Sequence, residues 1–324
     1  MAPKEYVFPT ALALIDATQI HTFEIDCLSW NHLPDATRAV FTSILQSVST
    51  ISIKNTNFSF INLCGPSLKH LQFGSPNRYP VSILDSELPQ KTDRTAPLRI
   101  RTLVLDKKQD LDFVCDKKNR IDLSGLEALY TRQQDWFTEG LRSTCSTSLQ
   151  TLCLNSKWIW DNVVHQLEPY PAPRLRELRI QGRSGTGYDI VDFGGNPLYN
   201  LIAFLQASLP LQNLEHIHIC IRISDPSVPN DTSHPRWQTL DSFLFANAPR
   251  FRLLEIECTN LMPGTHSEVI ERYKTWLPNL NDAGFLDVKE TLTSSGRWNR
   301  GLSEVFSEFQ SYRRLYYLNS VRCL

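Results

Sequence analysis

A six-residue pattern, apolar-x-x-apolar-x-apolar, recurs along the chain and limits its fold more than any other feature. It appears as Ile20-Phe23-Ile25, Val48-Ile51-Ile53, Leu68-Leu71-Phe73, Ile100-Leu103-Leu105, Leu149-Leu152-Leu154, Leu175-Leu178-Ile180, Leu214-Ile217-Ile219 and Phe251-Leu254-Ile256. Weaker copies begin at Leu126 and Leu280. That makes about ten copies at separations of roughly 20 to 40 residues, a periodicity typical of repeat architectures. In an extended segment the fourth and sixth positions point to one side, and the third, fifth and seventh to the other. Here the fourth and sixth are almost always Leu, Ile or Phe. Their alternates are mostly polar, as in Thr50, Ser52 and Lys54 or Glu177, Arg179 and Gln181. Each copy is therefore expected to be one short strand with a buried side and a wet side.

Helical spacing fills the gaps between copies. Residues 35–47 place Ala36, Val40, Phe41, Ile44 and Leu45 on one stripe just after Pro34, which suits the first position of a helix. Residues 197–209, 265–276 and 300–317 repeat the theme. Alternating strands and helices imply parallel crossovers. Stacked in chain order, they predict an α/β fold with a curved parallel sheet and helices on its outer face. The segments 74–97, 182–196 and 223–235 are rich in Gly, Pro, Ser, Asp and Asn and read as surface loops.

The segments "LQTLCL", "LRELRI" and "LKHLQF" resemble the leucine-rich-repeat family. The uneven repeat lengths are similar to the repeat region of fungal F-box/leucine-rich-repeat proteins, over about residues 19–290. The resemblance implies an irregular leucine-rich-repeat solenoid with an N-terminal cap at 1–18 and a C-terminal helical cap at 291–324. It also implies a non-catalytic protein-protein interaction scaffold, the substrate-recognition part of an F-box-like ubiquitin-ligase component. Its partners would be a protein and, through such a ligase, the ubiquitin machinery. Two features depart from that family. The Asn or Cys that usually follows the last strand leucine by three residues is replaced by Thr56, Pro76, Lys108, Lys157, Arg183 and Thr259. "LPDATRAVFTSIL", from Leu33, has the Leu-Pro start of an F-box, but the strand pattern resumes at Val48, so an inter-repeat helix is expected there.

Charge and composition narrow the functional classes. Lys plus Arg total 33 against 34 Asp plus Glu, so no net field draws in nucleic acid or an anionic membrane. Neither is expected as a partner. No run approaches the ~20 apolar residues of a membrane span. The short run 11–15 follows Pro9 and carries only Lys4 and Glu5 ahead of it, unlike a signal peptide. A cytoplasmic or nuclear location is the expectation. The eight cysteines contain no C-x-x-C pair, so buried free thiols are expected rather than a zinc site or a disulfide framework. No cofactor and no metal are expected.

The wet-face positions of the central copies are the candidate partner-binding residues: Thr151, Asn155, Glu177, Arg179, Gln181, His216, His218, Glu255 and Glu257. They are favoured because binding hot spots cluster near the middle of interfaces and are enriched in Arg. Two chemical alternatives stand beside them. Gly182 to Gly187, "GRSGTG", follows a strand as a phosphate loop does. However, Tyr188 and Asp189 occupy the places of its Lys and Ser/Thr, which disfavours an enzyme binding a phosphate-bearing ligand. His216, His218 and Cys220 project from one strand face in "HIHIC" and could start a metal site, but no further ligand motif lies nearby in sequence. No G-x-S-x-G, H-E-x-x-H or kinase-type set is present, and no enzymatic activity is expected.

Overall fold

Nine of the ten hexads become strands, each because its neighbour offers a matching edge in the same register. The computed structural model describes residues 16–26, 30, 33–54, 56, 58–74, 96–105, 108–116, 118–131, 144–145, 147–155, 172–181, 196–222, 234–259 and 266–291. Its strands are β1 (Thr22–Asp26), β2 (Thr50–Lys54), β3 (His70–Gly74), β4 (Leu98–Arg99), β5 (Thr102–Leu105), β6 (Ile121–Asp122), β7 (Ala128–Thr131), β8 (Thr151–Asn155), β9 (Glu177–Gln181), β10 (His216–Arg222), β11 (Leu253–Thr259) and β12 (Leu286–Thr291). Ten of them form one sheet in the order β1-β2-β3-β5-β7-β8-β9-β10-β11-β12, while β4 pairs separately with β6. Every pairing is parallel.

The register is constant across the large sheet. Fourth positions meet fourth positions: Phe23, Ile51, Leu71, Leu103, Leu129, Leu152, Leu178, Ile217, Leu254 and Leu286 are successive Cα partners. All are buried except Phe23 and Leu286, on the two edge strands, which are partly covered. The strand entries repeat as well. The carbonyl of the residue before each strand accepts two N–H donors from the next strand's entry: Ser49 and Thr50 on His21, Lys69 and His70 on Ser49, and Arg176 and Glu177 on Gln150. The same double acceptance recurs at Lys69, Arg101, Glu127, Arg176 and Glu215.

The helices are α1 (Asp35–Ser47), α2 (Lys108–Cys115), α3 (Asn196–Ala207), α4 (His234–Asn247), α5 (His266–Trp276) and α6 (Pro278–Asp282). Their apolar stripes share one core with the fourth and sixth strand positions, from Phe41 and Leu45 of α1 to Trp237 and Leu244 of α4 and Tyr273 of α5. Close backbone approach matters at Gly65. Its N–H donates to the Leu45 carbonyl at 3.1 Å, and a Cβ there would fall 2.1 Å from the Gln46 carbonyl oxygen. Before β12, Gly284 adopts φ 72°. Gly284 N–H donates to Asn281 and Phe285 N–H to Leu280, the paired bonds of a Schellman helix stop.

Several expectations need correction. The copy at Leu280 is not a strand start. Leu280 belongs to α6, and Leu286 rather than Ala283 meets Leu254. The segment 223–235 was expected to be loop to its end, yet α4 begins at His234. The wet side is also drier than alternation predicts: Thr50, Ser52, Thr102, Val104, Tyr130, Cys153 and Glu257 are buried. Small side chains there sink between the longer ones of strands ~4.8 Å away on either side. Val104, Tyr130 and Cys153 form a second small apolar cluster on this face. The helix expected at 300–317 and the segment 182–187 lie outside the described residues. Among the described residues, no helix is long and apolar enough to cross a membrane.

One buried carboxylate ties the last helices together. Asp241 of α4, 1% exposed, accepts from Asn279 N–H at 3.0 Å, Asn279 Nδ2 at 2.8 Å and Leu280 N–H at 2.9 Å. It thus caps α6 from a neighbouring helix, satisfying amides that a five-residue helix leaves open. Asp241→Ala would orphan those donors and is expected to cost about 2–3 kcal/mol in urea unfolding. A loss below ~0.5 kcal/mol, the scale of an ordinary surface substitution, would show that the cap is dispensable.

Candidate functional site

On the face away from the core, β8 to β12 align three rows of polar positions. The third-position row brings Thr151, Glu177 and His216 side by side. The fifth-position row brings Cys153, Arg179, His218, Glu255 and Asp287 together. The seventh-position row sets Asn155 against Gln181 at one end, and Cys220, Glu257 and Lys289 in sequence at the other. Every partner-binding candidate named from the sequence therefore holds a position on this one face. Asp287 and Lys289 join it although sequence reasoning missed them, because the misplaced tenth copy hid their register.

The side chains form a zigzag of opposite charges. Arg179 Nε donates to Glu177 Oε1 at 2.7 Å. Thr151 Oγ1 donates to Glu177 Oε2 at 3.4 Å. His216 Nδ1 lies 3.4 Å from Glu177 Oε1, and its Nε2 lies 3.4 Å from Glu255 Oε2. The Nε2 contact misses strict hydrogen-bond geometry, yet it still favours the charged form of both His216 and Glu255. His218 Nε2 sits 3.2 Å from Glu257 Oε2 and 3.9 Å from Glu255 Oε1. Lys289 Nζ contacts Glu255 Oε1 and stands 3.6 Å from Asp287 Oδ2. The imidazoles of His216 and His218 stack with centroids 6.5 Å apart.

Partial burial makes these pairings strong enough to move protons. Glu177, and next to it Glu255, push the His216 imidazolium up to about 9. Burial opposes ionisation of Glu177, but hydrogen bonds and charge from His216 and Arg179 outweigh it and hold the carboxyl at about 2. His216, then Lys289 and His218, hold Glu255 at about 2 against burial. Burial works against the Arg179 charge as well, and Glu177 more than restores it, leaving its pKa raised. Beside this network, burial pushes the Tyr130 hydroxyl well up.

This arrangement limits the available chemistry. His216 is protonated at neutral pH and has no lone pair to act as a general base. Among the described residues, no three His, Cys, Asp or Glu side chains are grouped to hold a metal ion. His216 and His218 face glutamates, and Cys220 has the Glu257 backbone as its register neighbour. No protein-family model matches the chain, and no curated protein sequence matches it significantly.

The shifted groups set a pH dependence of stability. His216 has a raised pKa when folded, so its contribution is complete below about 6.5 and is lost as pH climbs through about 9. Glu177 and Glu255 are depressed, so theirs is complete above about 4.5 and is lost as pH falls toward 2. Melting temperature should therefore decline between pH 6.5 and 9 in the wild type, and less steeply in His216→Gln. Parallel slopes in the two proteins would exclude His216 as the alkaline-side group.

Proposed function

We propose that this chain is a leucine-rich-repeat solenoid that holds another protein on the polar face of β8 to β12 and catalyses no reaction on it. The carrying observation is the pre-paired ladder of Glu177, Arg179, His216, Glu255 and Lys289, ordered before any partner arrives. Side chains already fixed by neighbours lose less freedom on binding. Ten strands at ~4.8 Å per step make a face ~45 Å long, so a standard interface of ~800 Å² per partner has room to extend along the sheet from β8 to β12. Strand order equal to chain order, with one register throughout, supports the repeat reading. The resemblance to F-box/leucine-rich-repeat proteins adds the narrower reading of substrate recognition in a ubiquitin ligase. The alternative of an enzyme at the Gly182–Gly187 segment falls outside the described residues, and His216, His218 and Cys220 form no metal-holding group among the described residues.

The half-burial of the network dictates how this is tested. Charge reversal at Arg179 or His218 would set a new carboxylate among Glu177, Glu255 and Glu257, and unfolding would mimic loss of binding. Arg179→Gln/Lys289→Gln removes charge at similar size. Affinity purification from native lysate with this variant should recover at least about tenfold less of the partner than the wild type does, the scale of a hot-spot loss. The variant should still melt as a folded protein. Equal recovery by the two proteins would place the binding surface elsewhere. Co-purification of a cullin-ligase adaptor would support the ligase reading.

A further inference from the structure

A second charged surface lies at the strand-entry edge of β9 to β11. Arg174 and Arg176 precede β9, Glu215 precedes β10, and Arg250 and Arg252 precede β11. All four arginines are exposed. The entry backbone fixes their order, since Glu215 N–H donates to the Arg176 carbonyl and Arg252 N–H to the Glu215 carbonyl. Further along this edge Arg101 does have an acidic partner, lying 3.7 Å from Glu127. Here, among the described residues, Arg174, Arg176 and Arg252 make no ion pair, and Arg250 donates only to Asn213 Oδ1 at 2.9 Å. Four exposed arginines thus belong to two strand entries, ~10 Å apart, with Glu215 at the entry between them. Exposed cations without acidic partners attract an anion.

We infer that this edge is a docking surface for an acidic segment of a partner protein, with carboxylates set on either side of Glu215. The planar Arg fork pairs two bonds at a time with carboxylate and phosphate alike, so one feature, Glu215, selects that partner class over a polyphosphate chain. Glu215, held between Arg176 and Arg252, repels a uniformly charged backbone but leaves room for carboxylates spaced to avoid it. The edge is separate from the Arg179–Glu255 face, so this surface goes beyond the sheet-face reading and stands or falls independently of it.

The test uses the full chain and a fluorescein-labelled peptide of Glu and Gly, followed by anisotropy. The peptide should bind, and binding should weaken as salt rises. Arg174→Ala/Arg176→Ala/Arg252→Ala should lose at least about tenfold in affinity, and Glu215→Gln should gain severalfold. Arg99→Ala, at another exposed arginine, should bind as the wild type does. A gain in Glu215→Gln cannot arise from misfolding, so the proposal stays testable even if the triple variant folds poorly. No peptide binding, an equal loss in Arg99→Ala, or tighter binding of a labelled single-stranded oligonucleotide than of the peptide would overturn it.

Discussion

The double hydrogen bond at the entries of the sheet strands from β2 to β11 is the constraint on which the sheet depends. One carbonyl accepts both the last loop amide and the first strand amide of the next repeat, from His21 through to Glu215. This pins where each strand begins. A slip of one residue would turn Leu178 outward and Arg179 into the core. With the start pinned, the fourth-position leucines and isoleucines stack without interruption, and the helices close over them. The polar rows opposite are a consequence of the same register.

The consequence is chemical as well as geometric. Glu177, His216 and Glu255 are distant in sequence and meet only because their strands start level. Their half-buried setting strengthens each pairing beyond what an exposed pair achieves. It also locks the ionisable groups into one another. A histidine held protonated and carboxylates held ionised make a firm patterned surface and a poor proton shuttle.

Much of the strand framework was legible because the hexad is local: Leu175-Leu178-Ile180 announces β9 without reference to anything else. What failed was non-local. In α4, Trp237, Leu240 and Leu244 are spaced for a buried stripe, but Asp241 sits in the same stripe and broke the apolar pattern. Its reason for being there, the open amides of Asn279 and Leu280, lies in another helix. The last copy was set at Leu280 because an apolar residue stood at the right interval, while Gly284 marked the true helix end. The polar face was located correctly as a row of positions. Its pairings could have been read by laying the hexads in register, which sets Glu177 beside His216 and His218 beside Glu255. The burial of Glu257 and Cys153 could not, since it depends on how far neighbouring side chains reach.

Distances along the sheet test the in-order, level stacking most directly. Spin labels on the exposed entry residues Lys69, Arg101, Arg176 and Arg252 can be measured in pairs by pulsed electron paramagnetic resonance. From Lys69, backbone separations should grow steadily, by ~4.8 Å per strand, to ~19 Å at Arg176 and ~29 Å at Arg252 along a flat sheet. Side-chain linkers would broaden each value without changing the order. A Lys69–Arg252 distance shorter than Lys69–Arg176 would mean that the strands are not stacked in chain order, and the polar ladder built on that order would fall with it.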